Sequence, residues 1–127
     1  MAKILLIDDE PDLLFLYSKA LEADGFSTII ETSAEVGLAK ARSEKPDLII
    51  LDLVMKPTDG FATFTELKKD PITEGIPILI LTNLTRQGLY DEMIDKGAVA
   101  FLEKTDYSPR DISEQIKNIL QLSWLFF

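Results

Sequence analysis

Three short stretches of nearly unbroken apolar sequence, Ile4 to Ile7, Asp47 to Leu51 and Ile76 to Leu81, constrain the fold more than any other feature. Runs this short and this rich in Ile and Leu suit strands buried on both faces, as in a parallel sheet. Between them the period changes. Leu13, Leu16, Tyr17, Ala20 and Leu21 recur at i, i+3, i+4, i+7 and i+8, which predicts a first helix with Gly25 as its stop. Thr32 and Glu35 have capping-box spacing ahead of a second helix ending near Ser43, with Gly37 a weak point inside it. A third helix is expected from Gly60 to Lys69, ended by Asp70-Pro71. A fourth is expected from Thr85 to Lys96, weakened by Gly88, which costs about 1 kcal/mol relative to alanine. Gly97 ends it, and Val99 to Leu102 reads as the last strand. Ser108-Pro109 then opens a fifth helix over about 109–122, with Ile112, Ile116, Ile119 and Leu120 on one face.

Strand and helix thus alternate five times, and parallel strands joined by right-handed crossovers need helices on both sides of the sheet. The expectation is one α/β domain over residues 1–127, a flavodoxin-like doubly wound (βα)5 sandwich with a five-stranded parallel sheet in the order 2-1-3-4-5. A chain of 127 residues, 46% hydrophobic and 28% charged, can bury one core and is not disordered. In such sheets ligands bind outside the carboxyl ends of the strands.

Composition narrows the chemistry available there. The absence of histidine and cysteine removes an imidazole base, a thiol nucleophile and cysteine-type zinc sites. A formal charge of 13 − 22 = −9 disfavours direct contact with nucleic acid or anionic membrane. The first apolar run meets acid at Asp8, so it is neither a secretory signal nor a membrane span, and a cytoplasmic location is expected. Carboxylates, hydroxyls and lysines remain.

Asp8 and Asp9 close the first strand and Asp52 the third, so the expected strand order brings all three to the switch point between them. Unpaired, they would repel one another and raise their own pKa values. A hard cation that accepts carboxylate oxygens and keeps positions for phosphate, such as Mg²⁺, suits the cluster. The plainer reading is an acidic turn in which Asp9 or Asp12 caps the first helix. Thr82 ends the fourth strand and Lys104 follows the fifth. Singly these read as a strand-end hydroxyl and a solvated lysine.

Together, Asp8-Asp9, Asp52, Thr82 and Lys104 resemble the pattern of the receiver domain of bacterial two-component response regulators, and the likeness covers essentially the whole chain. Leu51-Asp52-Leu53-Val54-Met55 with Asp59-Gly60 is similar to that family's phosphoacceptor loop. The resemblance implies that Asp52 accepts a phosphoryl group. It also implies that Asp9 and Asp52 bind Mg²⁺ directly, that Asp8 acts through metal-bound water, and that the Val54 carbonyl is a further ligand. Thr82 would bond a phosphoryl oxygen, Lys104 would neutralise another, and Phe101 would turn as Thr82 moves. The implied donor is the phosphohistidine of a sensor histidine kinase or histidine phosphotransfer protein. The output would be a downstream protein target or an attached domain, and the chain would be a switch rather than an enzyme acting on a free substrate.

This chain departs from the family in having Lys104-Thr105 where proline usually follows the lysine. A cis bond to a non-proline residue costs about 2.5 to 4 kcal/mol, so a trans bond is expected. Lys56, before Pro57, is expected in solvent. A small Mg²⁺-dependent aspartate phosphohydrolase fits less well, because its acids would be spaced by one residue and its nucleophile would lie on another strand. A flavin or nucleotide module would need a glycine-rich loop after the first strand. A degenerate receiver that only docks partners is the remaining alternative. The apolar end, Leu122-Ser123-Trp124-Leu125-Phe126-Phe127, reads as packing on the domain's own base, as a helix that continues, or as a homodimer or partner contact.

Overall fold

Side chains of β1 (Lys3–Ile7) alternate between two separate cores, with Ile4 and Leu6 facing one and Leu5 and Ile7 the other. The same alternation runs through β3 (Leu48–Leu51) and β4 (Ile78–Thr82), whose residues are all buried. Burial on both faces is what continuous apolar strands require. The structure, a computed structural model, describes residues 1–125, with side chains through Gln121. The apolar end beyond Gln121, singled out in the sequence, lies outside the described side chains.

With β2 (Ser27–Glu31) and β5 (Ala100–Glu103), the strands form one parallel sheet in the order β2-β1-β3-β4-β5, as expected for the doubly wound fold. Helices α1 (Pro11–Ala23) and α5 (Pro109–Leu125) pack together over the core that contains Ile4 and Leu6. The opposite core is covered by α2 (Ala34–Glu44), α3 (Gly60–Lys69) and α4 (Leu89–Asp95). Among the described residues no helix is long and apolar enough to cross a membrane.

Several local expectations shift. The buried face of α1 is Leu14, Tyr17, Ser18 and Leu21, with Leu13 packed partly against the same core, so Tyr17 and Leu21 of the expected stripe face inward while Leu16 is exposed. Four consecutive apolar residues from Leu13 to Leu16 satisfy the helical period in two phases, and packing against α5 selects one. Neither Asp9 nor Asp12 caps α1; the capping position is Glu10, with no side-chain bond to the helix, and Pro11 opens the first turn. Ser33 rather than Thr32 caps α2, its hydroxyl accepting from the Val36 N–H at 3.3 Å. Gly88 lies at the N-cap of α4 with φ +82°, so it opens a helix that begins only at Leu89. A left-handed conformation there is cheap for glycine and strained for other residues. Ser108 caps α5 as expected, accepting from the Asp111 N–H at 3.1 Å while Asp111 accepts from the Ser108 N–H at 3.0 Å.

Candidate functional site

Ile7 pairs with Leu51 across the β1–β3 ladder, so the residues that follow them, Asp8 and Asp52, emerge side by side at the carboxyl edge of the sheet. Both are buried. One oxygen of each carboxylate is held by backbone two residues on: Asp8 Oδ1 accepts from the Glu10 N–H and Asp52 Oδ1 from the Val54 N–H, each at 3.0 Å. The second oxygens converge on a cation. Lys104 follows β5, and its amine lies 2.6 Å from Asp8 Oδ2, 2.7 Å from Asp52 Oδ2 and 3.6 Å from Glu10 Oε1. The Lys104–Thr105 bond is trans, and the chain enters a 3₁₀ turn, Lys104–Asp106, with the lysine in place.

Burial is the main force on these groups. It raises the Asp8 carboxyl from 3.8 to about 6, an effect that the Asp52 charge reinforces and Lys104 and the Glu10 N–H oppose. Burial also works against the Lys104 ammonium, but its bonds to Asp52 and Asp8 more than offset this and hold its pKa above the ordinary lysine value. Tyr17 on α1 is buried within reach of the same charges, and its phenol is pushed up, first by burial.

One oxygen from each of Asp8, Glu10 and Asp52 lies within 4.8 Å of the others. The formal charges of these three acids and Lys104 sum to −3 + 1 = −2, the charge a divalent cation neutralises. All the donors are hard oxygens and Glu10 is exposed, so the set fits Mg²⁺, which binds through a few carboxylates and retains water. Asp9 is half-buried beside this group and is not part of it, whereas Glu10, which the sequence reading passed over, is. The signal for Glu10 lay in three consecutive acids after β1, Asp8-Asp9-Glu10.

Val54 is exposed, and its N–H is the one bonded to Asp52. Thr82 is fully buried at the end of β4, and its hydroxyl accepts from the Leu84 N–H at 3.2 Å, which is the strand-end role. Phe101 is half-buried on β5 and meets the exposed Tyr90 ring edge-on, with centroids 5.9 Å apart at 71°. Lys56 is in solvent, as expected. Gly60 positions the loop that carries Asp52: a Cβ there would lie 2.0 Å from the Asp52 carbonyl oxygen, and its N–H donates to Leu53 O at 2.9 Å.

Known proteins are similar to this chain in sequence and fold. A family model described as the response regulator receiver domain matches residues 4–117. The alkaline phosphatase synthesis transcriptional regulatory protein PhoP of Bacillus subtilis is 34% identical over 95% of this chain and 49% of its own length. Protein PilH of Pseudomonas aeruginosa is 38% identical over 65% of this chain and 68% of its own length. The chain spans about half the length of PhoP, and likewise of the regulator RpaA of Synechocystis. Among solved structures, a CheY-like receiver domain protein from Methanospirillum hungatei superposes with a TM-score of 0.89 at 25% identity, covering 100% of this chain and 99% of that one. A receiver domain protein from Clostridium thermocellum gives 0.86 at 29% identity, with both chains fully covered. Matched over residues 4–117, from β1 to the middle of α5, the chain therefore belongs to the response regulator receiver domain family, the phosphoaccepting modules of two-component phosphorelay signalling.

Proposed function

We propose that the Asp52 carboxylate is the acceptor in this receiver, taking a phosphoryl group from a phosphohistidine on a partner protein. The observation that carries this reading is the convergence of Asp8, Asp52 and Lys104 at contacts of 2.6 and 2.7 Å on the carboxyl edge of the sheet. An ionised carboxylate is a nucleophile with no proton to remove, so a chain without histidine needs no general base. A carboxylate oxygen forms the new bond to phosphorus, the phosphorus–nitrogen bond breaks, and the imidazole leaves with the donor. Lys104, already on Asp52, offsets charge on the transferring group, and positioning with electrostatics supplies most of the catalysis. Asp8, Asp52 and Glu10 would hold Mg²⁺, with Asp9 and the Val54 carbonyl as further candidates. When bound, the ion supplies positive charge for the phosphoryl oxygens.

Phosphorylation places a dianion between Lys104 and the end of β4. Thr82 would then exchange its bond to the Leu84 N–H for one to the phosphoryl group, and Phe101 would move against Tyr90. In this reading the chain is a switch that assists only its own phosphorylation and dephosphorylation. Its partners are a sensor histidine kinase or phosphotransfer protein and a downstream target or attached domain, in the cytoplasm. Incubation with a small acyl phosphate and Mg²⁺, followed by intact mass, tests the assignment. One added phosphoryl group is expected in wild type and none in Asp52→Asn or with chelator. Labelling that survives in Asp52→Asn would refute it.

A further inference from the structure

Between Thr82 and α4 the chain runs from Asn83 to Gly88, leaving the sheet at the same edge as Asp52. Two backbone bonds shape this loop: the Leu84 N–H donates to the Thr82 hydroxyl at 3.2 Å, and the Leu89 N–H donates to the Arg86 carbonyl at 3.0 Å. Both are local turns. The longer ties come from the Arg86 side chain, which donates to Glu92 on α4 at 3.2 Å and lies over the Phe61 ring on α3, 5.9 Å from its centroid. Phe61 packs against the core and directly follows Gly60, the residue set against the Asp52 carbonyl. Arg86 therefore reaches from the loop after Thr82 to the helix that begins where the Asp52 loop ends.

Given that Asp52 is the acceptor and that Thr82 answers to its phosphoryl group, we propose that Arg86 is a positioning residue of the switch. By clamping the loop to Phe61 and Glu92, it holds the Leu84 N–H on the Thr82 hydroxyl and so sets how readily Thr82 is released. Leu84 and Arg86 stand two residues apart in one short loop, so a shift that takes Leu84 off Thr82 also carries the guanidinium off the ring and the carboxylate. Both contacts thus favour the unphosphorylated arrangement. Each is open to water, which limits its strength and makes the clamp adjustable rather than fixed. Removing it leaves α4 intact, because Glu92 keeps its bond from Lys96 at 3.2 Å.

Hydrogen exchange at the Leu84 amide, followed by NMR in the unphosphorylated protein, reads the clamp without any phosphoryl chemistry. Arg86→Gln is expected to speed that exchange about two- to fivefold, and to raise the rate of acyl-phosphate labelling at Asp52 by a similar factor, while the urea midpoint barely moves. Phe61→Leu keeps an apolar side chain on the core but removes the ring, and it should act in the same direction. Combined with Arg86→Gln it should add less than its own separate factor, since both remove one contact. Arg86→Lys, which returns a cation to the ring, is expected to bring both rates back toward wild type. Leu84 exchange unchanged in Arg86→Gln overturns the proposal, as does faster exchange with unaltered labelling, or factors that multiply in full in the double variant. A wild-type protein that takes no label overturns the acceptor reading itself, and the switching role of Arg86 with it.

Discussion

Asp8 carries a charge that its surroundings resist. Its carboxyl titrates near 6 in the fold against an ordinary 3.8, so between those values the folded chain binds more protons than the unfolded one. Stability from this group is therefore full below 3.8, falls as pH rises through that window, and is gone above about 6. In chelator, the denaturant midpoint of wild type minus that of Asp8→Asn is expected to decline across the window; a difference that stays level would exclude Asp8 as its source. Gly60 is constrained by contact instead. Gly60→Ala drives a methyl into the Asp52 carbonyl, with a cost of about 1–3 kcal/mol in denaturant unfolding and a fall in acyl-phosphate labelling as Asp52 is displaced.

Element boundaries follow the chain's punctuation where the punctuation is chemical. Gly25 at φ +93° and Gly97 at φ +108° stop α1 and α4 as read from sequence, and Asp70 ends α3. Gly37 in α2 behaves otherwise. Helix propensity alone predicts that Gly37→Ala stabilises by about 1 kcal/mol. Yet a Cβ at 37 would stand 2.8 Å from Ile7 Cδ1 and 2.9 Å from its Cγ1, and Ile7 is fully buried. Packing should win: Gly37→Ala is expected to destabilise by about 1–2 kcal/mol, and Ile7→Val, which deletes the nearest atom, should recover part of the loss in the double variant. Equilibrium urea unfolding of the four proteins measures the coupling, and an additive cycle would show that the two sites do not touch.

Across the whole molecule, Lys104 ties the far edge strand β5 to β1 and β3 through buried charge. Removing it strands two buried carboxylates. In chelator, Lys104→Met is expected to lose about 3 kcal/mol, the scale for breaking a buried ion pair from one side. Mg²⁺ should restore more stability to the variant than to wild type, because in the variant it meets no competing ammonium. Thermal unfolding with and without metal tests this. Equal Mg²⁺ stabilisation of both proteins would mean that the ion binds elsewhere.

Periodicity and composition by themselves determined the class of this protein. Continuous Ile and Leu runs between amphipathic segments admit a parallel sheet covered on both sides, and that topology in turn sets Asp8 beside Asp52. These are consequences of backbone geometry, which a linear pattern encodes. What the tertiary structure alone decided depends on distances of less than a side chain's length. It chose the buried phase of α1 among four adjacent apolar residues, turned the Thr82 hydroxyl to Leu84, and made Gly37 a contact with Ile7. It also grouped Glu10, not Asp9, with the two buried acids around the Lys104 amine. Neighbours along the chain differ there only in which way a turn points them, and that direction is fixed by packing between elements far apart in sequence.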